Sequence, residues 1–579
     1  MRLLLIAALL AVAACDDGHG TPGADAGVPH DGPAPTQDAA VGPWDAPVPP
    51  PGHGFLRVVA LDSETEVPVP ARAIITALAP TLPVDFDIDP ATGTTLAGID
   101  GANIAPNVIG APEGVYLTSG DGTFKVPPGS YRVFVTRGPE WEAHVQEIAI
   151  DDEHDVLVGA RLLHSVDARG WLAADTHIHT GRSFDSKISL TSRVVSEVGV
   201  GVSLIVTTDH NVLSDLQPVV ESLGYTHLAR AIVGDEFNFL DGHGGAFPMP
   251  YDPGAEYGGI AAWGLNWELV RAIALEDIAP LLRTVPTNPA VSVYHPRMGG
   301  DLGYFNNLKQ FGPNGWSPPQ PLPSAAVLDG IELMNGYMRA PNWVATVMRD
   351  WFFLLSTGHR IAALGGTDTH KLTENLAGFP RTWMRMPSDD PFEVTGQDVG
   401  DALRAGRTIA STGPFARLRV NGGDIGDLVP ASGGVVQVDA TVDAPAWMTV
   451  DTVQIWVNGQ KARETPVTVG SRPLYQATFS LTVPPGDGWV VLVARGSHPL
   501  PPALIGNGES DLVMPLVVTS PVYFDGDGDA LWQPQIATPD PGPLTLSPQG
   551  LVPGGGLPPE LPPPPPSEPP LWADPATWE

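Results

Sequence analysis

Asp175-Thr176-His177-Ile178-His179-Thr180 follows the apolar run Gly170-Trp171-Leu172-Ala173-Ala174, and this junction decides how the middle of the chain is read. The run has strand character. In an extended chain alternate side chains share a face, so His177 and His179 project the same way from one strand end, where two imidazoles can chelate one metal ion. Taken alone, an H-x-H is equally two polar residues at a strand end. Its weight comes from what lies downstream.

Strands alternate there with amphipathic helical runs. The strands are Leu172 to His177, Ser203 to Thr207, Ala231 to Gly234, Ala290 to Tyr294, Gly330 to Met334, Arg360 to Leu364 and Thr382 to Met386. The helical runs fall around Ser192 to Val198, Asn266 to Leu275, Asn342 to Leu355 and Gln397 to Ala405. Seven strands with helical crossovers predict a parallel sheet, seven suffice to close a barrel, and about 240 residues fit one such unit. Barrel enzymes gather their active-site residues at the C-terminal strand ends. Asp185 lies in the loop after His179, and Thr208-Asp209-His210-Asn211 ends the second strand. Gly234-Asp235-Glu236 ends the third, with His243 in its loop; Tyr294-His295-Pro296-Arg297 ends the fourth, and Gly366-Thr367-Asp368-Thr369-His370 the sixth. Six histidines and several acids at one rim would be a costly crowd unless cations neutralised them. Any single member also has a plainer reading as packing or a solvated turn. Arg297 is the residue expected to grip an anionic substrate, with Arg182 and Lys187 as further candidates; the plainer role for Arg297 is to balance a carboxylate. Asp209 is placed to orient the His210 ring.

At 579 residues the chain has room for about three domains. Lys+Arg 30 against Asp+Glu 65 gives a formal net charge of −35, which disfavours nucleic acid or an anionic membrane face as a partner. Met1-Arg2 and the apolar Leu3 to Ala14 form a secretory signal over 1–14, too short to span a bilayer. The ending Val12-Ala13-Ala14-Cys15 resembles the bacterial lipobox, in which cleavage exposes a cysteine that is then acylated. Cys15 is the only cysteine, so no intramolecular disulfide can form. The expectation is an exported cell-envelope lipoprotein, periplasmic or surface, whose membrane contact is the lipid on Cys15; ordinary cleavage or an uncleaved anchor is the plainer reading.

Residues 15–52 read as a disordered Pro/Gly/Ala linker, and 53–169 as short strands in a small antiparallel β-sandwich, turned at Pro127-Pro128-Gly129-Ser130. Phe124 to Val135 is similar to the carboxypeptidase-regulatory type of β-domain. His144, His154 and His164 are read as surface or packing residues. Residues 413–532 form a second β-sandwich, and 533–579 a Pro-rich disordered tail. Asp525, Asp527 and Asp529 suit either a Ca²⁺ ion or an acidic turn, and the terminal Glu of an EF-type loop is missing.

The order of motifs between about 171 and 412 resembles the PHP (polymerase and histidinol phosphatase) superfamily, and within it the CehA/McbA branch related to carbaryl hydrolase. The likeness includes the Gly406-Arg407-Thr408 to Gly413-Pro414 exit. It implies a PHP-type (β/α)7 barrel over 170–412, flanked by the N-terminal and C-terminal β-sandwich domains. It further implies three metal ions: one on His177, His179, Glu236 and Asp368; a second on Glu236, His243 and His295; a third on Asp185, His210 and His370. Asp185 stands where some relatives have His, and the place of His243 is open to Asp241; if either fails, two ions remain. Glu236, Arg297 and Asp368 would take the catalytic roles. Two divalent ions sharing a carboxylate lower the pKa of a water held between them, present hydroxide as nucleophile and polarise the ester oxygen under attack. Nitrogen and oxygen donors suit Zn²⁺, Mn²⁺ or Fe²⁺. The expectation is a metal-dependent phosphoesterase acting on a small anionic ester. The alternatives are a carbamate or carboxyl-ester hydrolase and a catalytically inactive surface binding module.

Overall fold

The computed structural model describes residues 54–534 apart from 82–87, 90–93, 96–107, 112–113, 152–154, 241, 261–272, 300–301, 308–322, 338–340, 373–374, 432, 468–471 and 506–512. The expectations placed on the signal, Cys15, the linker, His154, Asp241, most of the helix from Asn266 and nearly all of the Pro-rich tail lie outside the described residues. Within them the protein is a mixed α/β chain carrying several sheets.

Near the N-terminus, alternating burial along Asp121–Val126 and His144–Ile150 marks strands with one face inward. One sheet orders Val156–Leu162, Gly54–Asp62 and Asp121–Val126; another orders Val108–Ala111, Gly114–Leu117, Ala71–Ala77, Gly129–Thr136 and His144–Ile150. Leu56, Val58, Phe124 and Val158 of the first share a core with Ala73, Val115, Tyr131 and Val133 of the second. One pair departs from the expected antiparallel pattern, since Leu56 faces Val156 in parallel register. These are the first and last strands of the region. No hairpin joins them, so local chain geometry does not fix their relative direction.

All seven strands expected from Leu172 onward form, divided between two hydrogen-bonded sheets. In one, Arg230–Val233, Leu204–Thr207 and Trp171–Ile178 run parallel, and Arg381–Arg385 and Thr408–Ser411 are added antiparallel. In the other, Ala290–Val293, Gly330–Asn335 and Ala362–Gly366 run parallel, extended by the hairpin Asp235–Phe239 and Gly242–Phe247. The strand at Arg381 was expected parallel; among the described residues no helix lies between Gly366 and Arg381 to carry a parallel crossover. The hairpin was not expected, because His243 was placed in a loop after the third strand. The role of its glycines is close approach: a Cβ on Gly245 would stand 2.1 Å from the Tyr294 ring, and one on Gly244 2.5 Å from Phe237. Two single bridges, Ile178 to Thr369 and His210 to Glu236, join the sheets at these strand ends.

The helix Leu190–Val198 starts on the Ser189 hydroxyl, and Gly396–Arg404 on a reciprocal Thr395/Asp398 box. Pro341–Ser356 buries Trp351, Phe352, Leu354 and Leu355. The first sheet continues past Ser411, because Thr408–Ser411 pairs with Leu516–Thr519 and onward to Gly488–Arg495, Thr452–Val457 and Gln460–Pro466. A four-stranded sheet of Gly423–Asp424, Phe415–Val420, Val435–Asp443 and Tyr475–Thr482 shares with it a core that includes Leu418, Val438, Ile455 and Leu492.

Trp383 ties that core to the sheet that carries His177, fully buried and edge-on to Phe415 at 5.0 Å. Trp383→Ala is therefore expected to lower stability by about 3–5 kcal/mol, read as a shift in the denaturant midpoint. An unshifted midpoint would contradict a shared core.

Candidate metal centre

Local backbone places the expected donors at adjoining strand ends. His177 lies within Trp171–Ile178 and His179 just beyond it; Glu236 lies in Asp235–Phe239, and its hairpin partner carries His243 opposite Asn238. His210 reaches the site through its bridge to Glu236. His295 and Asp368 follow the strands Ala290–Val293 and Ala362–Gly366 with left-handed backbone, φ 27° and 54°. Such φ values are strained for non-glycine residues and persist where surrounding contacts enforce them.

Every expected ligand converges. Glu236, 1% exposed, is the hub. Its Oε2 lies 3.1 Å from His177 Nε2, 3.1 Å from His179 Nε2 and 3.3 Å from His210 Nε2; its Oε1 lies 2.9 Å from His243 Nδ1 and 3.1 Å from His295 Nε2. Asp368 Oδ1 is 3.1 Å from His179 Nε2 and 3.4 Å from His177 Nε2. Asp185 Oδ2 is 3.0 Å from His370 Nε2 and 3.3 Å from His210 Nε2. Three groups have donor atoms all within 4.8 Å of one another: His177, His179, Glu236 and Asp368; His179, Asp185, His210 and His370; and His210, Glu236 and His243. The first matches its expected set. The second adds His179, and the third holds His210 where His295 was expected, leaving His295 beside it on Glu236 Oε1.

These donors suit divalent cations. Among the described residues His177 Nε2 and Glu236 Oε2 are buried without a partner in good hydrogen-bond geometry, although they lie 3.1 Å apart. Ligand atoms on one tetrahedral ion with bonds of about 2.0–2.1 Å stand roughly 3.3 Å apart, which is the spacing found here. Where protons supply the only positive charge, the cluster draws them in. Burial opposes charge on His177, but Asp368, Glu236 and Glu332 overcome it and hold the imidazole well above its usual range. His210 is likewise raised to about 9, by Glu236 and Asp185 against burial. Burial would raise Glu236, yet His210, His177 and His243 hold it well below the carboxylate range. His243 is pushed down to about 4 by burial, only partly offset by Glu236, so it stays neutral with a free lone pair. Cations and protons compete for these sites.

Four supporting residues escaped the sequence reading. Glu332, fully buried in Gly330–Asn335, accepts from His177 Nδ1 at 3.0 Å and from the His295 backbone N–H at 2.6 Å. Asn335 donates to Glu332 at 3.0 Å and to Asp368 Oδ2 at 3.3 Å. The available signal was an acid in the middle of an apolar strand. Gly366 leaves room for this arrangement, since a Cβ there would stand 2.6 Å from both Glu332 Oε1 and His177 Cβ. Arg193, fully buried, donates to the His179 carbonyl at 3.0 Å and the Thr369 carbonyl at 2.9 Å, pinning two ligand loops. Asp209 does not orient His210 as expected; it accepts from the Thr180 N–H at 2.6 Å, the Thr180 hydroxyl at 2.7 Å and the Ser214 hydroxyl at 2.5 Å.

Arg297 corrects a second expectation. It is buried, and Nε and Nη2 each sit 2.7 Å from the Asp350 carboxylate, with Nη1 3.2 Å from Asn306 Oδ1. The fork expected to grip substrate closes on an internal acid instead. Arg182 and Lys187 lie exposed on the Asp185 loop. Far from this centre, Asp525 and Asp527 group with Asp487 as a further candidate set that does not include Asp529. Asp525 there accepts from the Gly528 N–H at 2.6 Å and the Ala530 N–H at 2.9 Å, as an acidic turn does.

No model of a known protein family and no curated protein matches this chain. Among solved structures, a Streptococcal ancillary pilin is similar at TM-score 0.14 and 13% identity over 24% of this chain, which spans 38% of the pilin's length. An FMN-binding beta-glucuronidase from Facaelibacterium prausnitzii L2-6 is similar at TM-score 0.15 and 10% identity, covering 82% of this chain and 73% of that one. A beta-glucuronidase from Parabacteroides merdae gives 0.17 and 10%, covering 79% and 60%. At these scores none bears on fold or activity here.

Two outcomes follow from the supporting shell. Glu332→Gln should weaken Zn²⁺ affinity by roughly 10–100-fold in a chelator competition. Arg297→Ala should cost about 3–5 kcal/mol in chemical denaturation, because it leaves Asp350 buried and unpaired, with metal content unchanged. Lost metal with intact stability would return Arg297 to the site.

Proposed function

We propose that the chain is a metal-dependent hydrolase of the PHP type, close to the CehA/McbA branch, cleaving ester bonds and phosphoesters first. The observation that carries this is Glu236: one buried carboxylate facing imidazoles on both oxygens, as a bridging ligand does. The convergence of strand ends at one rim also favours a PHP-type (β/α)7 barrel between β-sandwich domains. Divalent cations held there would supply an activated water and polarise the ester oxygen.

The chain's own residues have separable tasks. His177, His179 and Asp368 with Glu236 Oε2 hold one position; Asp185, His210 and His370 hold another; His243 and His295 flank Glu236 Oε1. Glu332 fixes the His177 ring so that Nε2 faces the cluster. The exported, lipid-anchored location rests on the Leu3 to Cys15 stretch. Cleavage of carbamate or carboxyl esters stands as the second reading, because pairing of Arg297 with Asp350 removes the guanidinium nominated to hold an anion.

The test is metal analysis together with turnover of p-nitrophenyl phosphate, bis(p-nitrophenyl) phosphate, p-nitrophenyl acetate and an aryl carbamate. Bound Zn, Mn or Fe and phosphoester turnover that falls to background in His177→Ala and Glu236→Ala are expected. Turnover of only the neutral esters would favour the second reading; metal-loaded protein inert toward all four would favour a binding module.

A further inference from the structure

Away from the metal centre, a cavity of about 240 Å³ opens where the end of Gly396–Arg404 meets the strand Val522–Asp525. Arg360, Arg404, Arg407 and Tyr523 line it, and among the described residues no acid does. In a chain with Lys+Arg 30 and Asp+Glu 65, three guanidiniums around one small space run against composition.

Their commitments differ. Arg404 pairs with Asp401 and donates to the Asn288 carbonyl at 2.7 Å. Arg407, about half exposed, has Nη2 3.6 Å from Asp427 Oδ1, too long for a hydrogen bond. Arg360 has no carboxylate partner among the described residues; its guanidinium lies over the Tyr523 ring at 4.6 Å and the Trp532 ring at 5.4 Å. Stacking engages the face of the guanidinium plane and leaves the in-plane N–H donors for a ligand. Tyr523 contributes its ring to the wall; its hydroxyl is buried, with no hydrogen-bond partner among the described residues.

The arginines are not needed to cap the helix that ends here. The N–H groups of Ala405, Gly406 and Arg407 already donate to the carbonyls of Asp401, Leu403 and Ala402 at 2.9, 3.0 and 2.9 Å. The wall is fixed by backbone, because Gly426 has φ +91° and a Cβ on it would stand 2.1 Å from the Ala405 carbonyl oxygen.

We propose that this pocket binds a small oxyanion, a phosphate-type or carboxylate group, held by the Arg360 fork with Arg407 as a further donor. A bound anion ties the end of the helix to the C-terminal strand and to the Arg360 turn, so binding raises the melting temperature. The site is independent of the metal centre.

The test is isothermal titration of inorganic phosphate, sulfate and acetate into the chelator-treated full chain, repeated with His177→Ala. At least one anion is expected to bind at millimolar concentration or tighter in both proteins. Arg360→Gln and Arg407→Gln should each weaken it by about tenfold or more, with Arg360→Lys intermediate. Arg407→Gln keeps the test decisive if Arg360→Gln fails to fold. Absence of binding for all three anions would overturn the site, as would affinity unchanged in Arg360→Gln and Arg407→Gln, or binding abolished by His177→Ala.

Discussion

A single carboxylate, Glu236, sits almost sealed from solvent among five imidazoles, and the middle of the molecule is arranged to make that tolerable. A buried anion of this kind needs partners of opposite charge on every side. The donors come from two sheets that hydrogen bonding keeps apart, so the sheets must meet edge to edge at this point. They do so through the single bridges at Ile178 and His210. The left-handed backbone at His295 and Asp368 belongs to the same requirement, since it turns each ligand inward directly after its strand ends.

Behind the ligands lies a second layer of buried charge. Glu332 and Asn335 sit on one strand and reach three candidate ligands, His177, His295 and Asp368, while Arg193 clamps the carbonyls of His179 and Thr369 from a neighbouring helix. Asp175 extends the layer, accepting from the Thr367 hydroxyl at 2.6 Å and its N–H at 3.1 Å. Backbone and side chain of the ligand loops are thus held independently. That division matters for chemistry, because donor atoms kept in place before any ion arrives spare the ordering cost on binding.

How much of this was legible in the sequence depended on range. His177 and His179 were readable because period-two alternation is a local rule, and the other ligands because each directly follows, or lies in the loop after, an apolar run with strand character. The hairpin Asp235–Phe239 and Gly242–Phe247 was not, since its glycines answer to the Tyr294 and Phe237 rings, one of them about fifty residues away. Glu332 is an acid in the middle of an apolar strand, with nothing nearby in the sequence to mark its role. Its partner, His177, is 155 residues earlier. Arg297 failed for the same reason in reverse: a guanidinium beside a ligand motif suggests substrate, and only the fold reveals Asp350 on the helix Pro341–Ser356. The direction of Arg381–Arg385 turned on the absence of a helix among the described residues of the preceding stretch, which local propensity alone did not specify.

Sheet continuity gives the flanking β region a mechanical link to the centre. Trp171–Ile178 carries His177 and pairs with Arg381–Arg385, which pairs with Thr408–Ser411 and then with Leu516–Thr519. Side chains reinforce the seam, for Thr408 and Ser520 hydroxyls meet at 2.9 Å and Ser520 accepts from the Ala363 N–H at 2.8 Å. Ala363 lies in the strand that leads to Asp368. Hydrogen-bond networks and rigid secondary elements are among the routes that carry coupling between sites. The C-terminal strands therefore buttress two strands of the candidate centre at once, and the proposed oxyanion pocket sits on the same support, between Arg407 just before Thr408 and Tyr523 just after Ser520.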